Sequence, residues 1–112
     1  MAPTRKAGVI QGTLDLLILR TLLFGPRHGH GIVKHIGTMS DEVFRVEHGS
    51  LYPALQRLEK TGCISSAWEA ADDGREMKLY RLTPKGRAQL KREESKWQSL
   101  VDAMSRMLRP AR

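Results

Sequence analysis

Ser50, Tyr52, Pro53, Gln56 and Arg57 fall on one side of a helical repeat, and each side chain has a use against a nucleic-acid duplex. A glutamine amide can pair bidentately with adenine and a guanidinium with guanine. A tyrosine can stack its ring or donate its hydroxyl to phosphate, and a proline ring can lie on a thymine methyl. The competing use of such a face is plain solvation. Lys60, one turn further on, can offset the helix dipole or approach a phosphate.

Further cations flank that string. Arg75 and Lys78 border the turn "DDG" and are candidates for phosphate or minor-groove contact, while Lys34, Arg27, Arg5 and Lys6 can add charge without reading sequence. His28, His30, His35 and His48 raise the question of a metal, but no second cluster of Cys, Asp or Glu supplies the remaining ligands at a recognisable spacing. No metal and no cofactor is expected. Capping a helix start suits His28 better, and a DNA-facing position suits His30.

Catalysis finds no support. No Ser/His/Asp arrangement sits in a nucleophile elbow, and no phosphate-cradling glycine loop follows a strand.

Nineteen Lys and Arg against twelve Asp and Glu give a formal charge of +7 and a sequence pI near 10.1, which favours a polyanionic partner, nucleic acid before a membrane surface. At 112 residues the chain has material for one domain with one modest core. Cys63 is its single cysteine, so no intrachain disulfide can form, and a small apolar core residue is its expected role. The apolar run "LDLLILRTLLF" at 14–24 is interrupted by Asp15 and Arg20 and falls short of the ~20 residues of a membrane span. No secretory signal precedes it, and the cytoplasm is the expected location.

The elements that must position these side chains follow from periodicity. Residues 1–12 offer no apolar repeat and read as a basic arm. Thr13 is the expected cap of a first helix, with Leu14, Leu17, Ile18, Leu22 and Leu23 as its apolar face, stopped by "FGPRHG". A second helix is expected over 29–38, with Ile32, Val33 and Ile36 inward. The short "VFRV" is a candidate minor strand.

Leu51, Ala54, Leu55 and Leu58 define the inner face of a third helix. Pro53 is compatible with it if the helix begins at Gly49 or Ser50, because the first N–H groups of a helix have no intrahelical acceptor to lose. Ser50 is then the expected cap and Gly62 the left-handed exit. A β-hairpin should follow, with Trp68 directed to the core, and Thr83-Pro84 opens a last helix reaching about Leu108. Leu90, Trp97, Leu100, Val101, Met104, Met107 and Leu108 form an apolar stripe on it that outruns so small a domain. The simplest cover for that stripe is the same helix of a second chain. Trp97 on this stripe can either pack the dimer or sandwich a planar effector.

Three helices, a hairpin and a long last helix, in that order, outline a mainly α winged helix-turn-helix with a C-terminal dimerisation helix. The expected division is an arm at 1–12, a DNA-binding domain at 13–83, a dimerisation helix at 84–108 and a tail at 109–112. The strings "GTLDLLILRTL", "HGHGI", "VEHGSLYPALQRLEKTGCISSAW" and "GREMKLYRLTPKGRAQL" resemble the PadR-type transcriptional regulators over nearly the whole chain after Gly12. Two positions depart from that pattern: His30 stands where the family usually has tyrosine, and Leu79 where it usually has a second aromatic.

The resemblance implies a homodimeric bacterial repressor that binds an operator in promoter DNA. It also implies a dimer interface built from the first and last helices, which adds Leu14, Leu17 and Ile18 to the stripe, and in some members a small aromatic effector held there. Through DNA such a protein would associate with the nucleoid. The alternative kept open is a small basic adaptor that binds protein or RNA without reading DNA sequence.

Overall fold

The computed structural model describes residues 13–111. The expected basic arm at 1–12, with Arg5 and Lys6, lies outside them, as does Arg112. In chain order the elements are α1 (Thr13–Leu23), β1 (Arg27–His28), α2 (Gly29–Met39), α3 (His48–Lys60), β2 (Ile64–Ala70), β3 (Glu76–Leu82) and α4 (Pro84–Met107). The class is mainly α with a small three-stranded antiparallel sheet in the order β1-β3-β2.

The core forms where the apolar faces of the first three helices meet the sheet. Ile18, Leu19, Ile32, Leu51, Leu55 and Ile64 are almost fully buried, joined by Cys63 and Tyr80, and Leu90 is the buried apolar side chain of α4. Thr21, also buried, donates its hydroxyl proton to the Leu17 carbonyl at 2.8 Å, so no unsatisfied polar group is left there. The α2–α3 connection turns sharply through left-handed Asp41 (φ 54°) and Glu42 (φ 66°), and the Glu42 N–H donates to the Gly37 carbonyl at 2.7 Å. That turn sets α3 across α2.

Four local expectations are corrected. "VFRV" forms no strand; the third strand is β1, whose Arg27 and His28 pair with Tyr80 and Leu79. The cap of α3 is Glu47, in extended conformation (φ −88°, ψ 150°), rather than Ser50, so Pro53 is the sixth helical residue and lies beyond the first turn. The N–H it lacks would have bonded the carbonyl of Gly49, which is solvent-exposed, so the loss is not suffered inside the core. His28 holds the cap position of α2 through its backbone alone, with no side-chain cap bond. Trp68 is 64% exposed instead of buried: along its face of the hairpin Ile64 and Tyr80 are covered, and the strands then run past the helices.

Several shared bonds hold the junction of α3, the sheet and α4. Gly62 exits α3 at φ 84°. The Thr83 N–H donates to the Cys63 carbonyl at 3.1 Å, and the Thr83 hydroxyl lies 2.6 and 2.9 Å from the Gly62 and Cys63 carbonyls. The same hydroxyl oxygen accepts from the Gly86 N–H at 3.0 Å, capping α4, with Pro84 at the opening of the helix. Thr83→Ala removes the cap and the bridge together and should cost about 1–2 kcal/mol in urea denaturation. An unchanged midpoint would show that the hydroxyl contributes nothing to the junction.

Candidate nucleic-acid interface

The polar side of α3 carries Ser50, Tyr52, Pro53, Gln56, Arg57 and Lys60, all exposed, because the helix spends Leu51, Ala54, Leu55 and Leu58 on the core. At its N-terminal end three rings from two helices stack. His30 of α2 lies 6.4 Å from His48 with planes 20° apart, and His48 lies 5.8 Å from Tyr52 at 16°. The Tyr52 hydroxyl closes against Gly29, where a Cβ would come within 2.7 Å of it. A glycine at the start of α2 is therefore what lets the tyrosine lie across the helix-turn-helix. His48 was missed by sequence reasoning, although its position four residues before Tyr52 puts both on one face of α3.

Arg57 is not an isolated cation. Its Nη2 donates to Asp15 Oδ1 at 2.7 Å, tying α3 to the start of α1 with its own side chain 49% exposed. An exposed pair of this kind contributes at most about 1 kcal/mol, so a phosphate of DNA can compete for the guanidinium. Lys34 and Lys60 stand exposed on α2 and α3.

The β2–β3 turn closes with the Ala71 N–H donating to the Arg75 carbonyl at 2.7 Å and with Gly74 at φ 88°. At the tip Arg75 Nε donates to Asp73 at 2.7 Å. Lys78 sits further back on β3, its Nζ 3.9 Å from Glu59, 5.7 Å from the Trp68 ring centroid and 6.0 Å from that of Tyr80. Ser66 donates to Glu59 at 2.6 Å and fastens the hairpin to the flank of α3. Trp68 is the second side chain that sequence reasoning misplaced. The clue was the length of the strands, seven residues each, beside a helix that can cover only their first half.

Two groups titrate away from their ordinary values. Burial, reinforced by the Arg27 charge, holds the His35 imidazole below the usual histidine range, so it stays neutral against Phe24, 5.9 Å away. Burial, with the charges of Glu59 and Tyr52, raises the Tyr80 phenol and keeps its proton on. His28 Nε2 is shielded 3.6 Å from Glu69, beyond hydrogen-bond range. Among the described residues no three His, Cys, Asp or Glu gather as a metal site, and no helix is long and apolar enough to cross a membrane.

At the other end of the molecule α4 carries an exposed apolar stripe, with Trp97 43%, Leu100 51%, Met104 50%, Met107 80% and Leu108 72% exposed and Val101 half-buried between them. Leu108 caps the helix rather than ending it. Beside Trp97 an open cleft of about 660 Å³ is lined by Arg20, Lys91, Glu94, Ser95 and Gln98, with Arg20 and Glu94 paired at 3.3 Å across it. Of the α1 residues expected at a dimer interface, Leu14 and Ile18 are 7% and 0% exposed, within the chain's own core. Leu17 is half-buried.

A family model described as the transcriptional regulator PadR-like family matches residues 18–92. An uncharacterized protein of Lysinibacillus sphaericus is 34% identical over 92 residues, covering 82% of this chain and 84% of the relative. A transcriptional regulator of Mycobacterium tuberculosis is 46% identical over 52 residues, covering 46% of this chain and 48% of that one. Among solved structures, a transcriptional regulator from Clostridium thermocellum superposes with a TM-score of 0.83 at 30% identity, covering 92% of this chain and 100% of the other. A PadR family transcriptional regulator from Eggerthella lenta gives 0.74 at 32% identity, covering 89% and 85%.

Proposed function

Because the chain belongs to the PadR-like family of transcriptional regulators, which are regulators rather than enzymes, we propose that it is a repressor binding double-stranded promoter DNA as a homodimer in the bacterial cytoplasm. The observation that carries this reading is the polar side of α3, free of core duty from Ser50 to Lys60 and continuous with the His30–His48–Tyr52 stack. Residues 13–83 serve as the DNA-binding domain. In it α3 enters the major groove, Tyr52 and His30 meet the backbone, Gln56 faces base edges, and Arg57 does so once released from Asp15. Ser50 and Pro53 lie against the groove wall, while Lys34, Lys60, Arg75 and Lys78 supply charge to phosphates.

Residues 84–108 form the dimerisation helix, through Trp97, Leu100, Val101, Met104, Met107 and Leu108. Two-fold symmetry then sets two copies of α3 on half-sites about one helical turn apart in a pseudo-palindrome. The cleft beside Trp97 is placed to take a planar aromatic effector whose binding favours a different dimer geometry and lifts repression.

Genomic DNA fragments captured by the purified protein at moderate salt, beside an RNA pool, test the reading. One discrete promoter fragment should be enriched, because binding by charge alone collapses as salt rises. Enrichment of RNA, or of no discrete fragment, would favour the basic adaptor. Tyr52→Ala should leave a folded dimer and lower operator affinity about tenfold, the scale of one lost contact to a charged group. Binding equal to the parent in fluorescence anisotropy would remove α3 from the interface.

A further inference from the structure

The hairpin carries a large exposed aromatic for which its own packing gives no reason. In the antiparallel register Ile64 faces Leu82, Ser66 faces Tyr80 and Trp68 faces Lys78, so these side chains share one face of the hairpin, the face turned toward α3. Its first members are used: Ile64 and Tyr80 are buried, and Ser66 is bonded to Glu59. Trp68 is the next along and lies 64% exposed, with the Lys78 ammonium 5.7 Å from its ring. On α3 the same flank presents Glu59 and, two turns earlier, Tyr52, itself 44% exposed. A row of Tyr52, Tyr80, Lys78 and Trp68 therefore runs from the helix to the middle of the hairpin, with the Lys78 cation set between the rings of Tyr80 and Trp68.

The tip is differently charged. Asp72, Asp73 and Glu76 lie within three residues of Arg75 in the chain, and Arg75 is held by Asp73 at 2.7 Å. Pairing with Asp73 weakens the pull of that guanidinium on a phosphate. The cation better placed for a phosphate is Lys78, whose carboxylate neighbour, Glu59, is 3.9 Å away and already accepts from Ser66.

Resting on the DNA reading of α3, we propose that Trp68 is a DNA-backbone contact: its indole packs on deoxyribose while Lys78 takes the adjoining phosphate, so the hairpin grips the strand more firmly at its middle than at its tip. The indole supplies apolar area that a sugar can cover, and the neighbouring ammonium supplies the charge that brings the strand to it. Trp68 thereby adds affinity without base readout.

The test uses the full chain and sheared genomic duplex DNA at low salt, with acrylamide quenching of tryptophan emission. The parent contains Trp68 and Trp97, and Trp68→Phe reports Trp97 alone, so the difference between them is the signal of Trp68. Duplex DNA should protect that signal from acrylamide. In anisotropy with a labelled duplex, Trp68→Ala should bind about tenfold more weakly, within the range for aromatic side chains against nucleic acid, and Trp68→Phe should recover most of the loss. Arg75→Ala, whose guanidinium is already paired with Asp73, should weaken binding less than Trp68→Ala does.

Unchanged quenching of Trp68 at saturating DNA would overturn the proposal, as would parental affinity of Trp68→Ala. Altered self-association of Trp68→Ala with intact DNA affinity would assign the indole to a second copy of the chain instead. Failure of the parent to bind any duplex at low salt would remove the DNA reading itself, a result distinct from each of these.

Discussion

Glutamate at both Leu100 and Met104 should convert the proposed dimer to a monomer and lower the affinity proposed for operator DNA about a hundredfold or more. The two side chains stand four residues apart on α4, each about half exposed, in the middle of a stripe that begins at Trp97 and ends at Leu108. Covering a half-exposed apolar side chain of this size is worth about 1 kcal/mol, so removing two from each chain forfeits about 4 kcal/mol per dimer. That alone is about a thousandfold in the dimer equilibrium, before the cost of bringing four carboxylates together across a two-fold axis.

The DNA effect follows from geometry rather than from contact, since neither residue lies near α3. A dimer engages the second half-site at the high effective concentration set by the first, and a monomer loses that gain, on the order of a hundredfold or more. Light scattering after size exclusion reads the mass, and anisotropy reads the affinity. A variant that remained dimeric would place the interface elsewhere, and a monomer with parental affinity would show that one copy of α3 suffices.

Gly86→Ala should be the most destabilising small substitution in the described chain. A Cβ at residue 86 would overlap the Cys63 carbonyl oxygen and lie 2.7 Å from Leu82 Cδ1 and 3.0 Å from the Cys63 carbonyl carbon. The first of these is backbone, fixed by bonds from Thr83, and cannot rotate away as a side-chain tip would. Either α4 shifts outward, breaking the bond from the Gly86 N–H to Thr83, or the exit from α3 is displaced. Overpacking against fixed atoms costs about 1–3 kcal/mol and the lost cap about 1 more. A loss of about 3 kcal/mol is a large part of the 5–15 kcal/mol typical of a domain. Urea denaturation at fixed protein concentration measures it, and a loss below about 0.5 kcal/mol would mean that the junction yields. At the exposed Gly49, where a Cβ meets nothing, alanine serves as the control.

Helices with a polar side were legible from spacing: Leu51, Leu55 and Leu58 mark the inner face of α3, and Thr83-Pro84 marks the start of α4. The hairpin was legible from its alternation and its turn. What escaped depends on contacts distant in sequence. A two-residue strand has no periodicity of its own, and β1 exists because Tyr80 and Leu79 offer it an edge. Asp15 and Arg57, 42 residues apart, meet across two helices, and neither position signals the other. In α1 the apolar residues nearly surround the helix, so spacing could not tell which of Leu14, Leu17 and Ile18 would face inward; the core took Leu14 and Ile18. Tryptophan favours interiors on average, and Trp68 is exposed because the strand outlasts the helix beneath it.

The shared hydrogen bonds of Thr83 with Gly62 and Cys63 leave no slack between the end of α3 and the beginning of α4. In mechanical terms the two helices form one bent lever, with its fulcrum at Gly86 and a long arm of about 33 Å. Displacement at the far end of such an arm arrives at the short one reduced in size but undiminished in angle. In the proposed dimer, a small tilt where two copies of α4 meet would be delivered to both copies of α3 as rotation, and rotation, more than translation, would decide whether that helix still fits a groove.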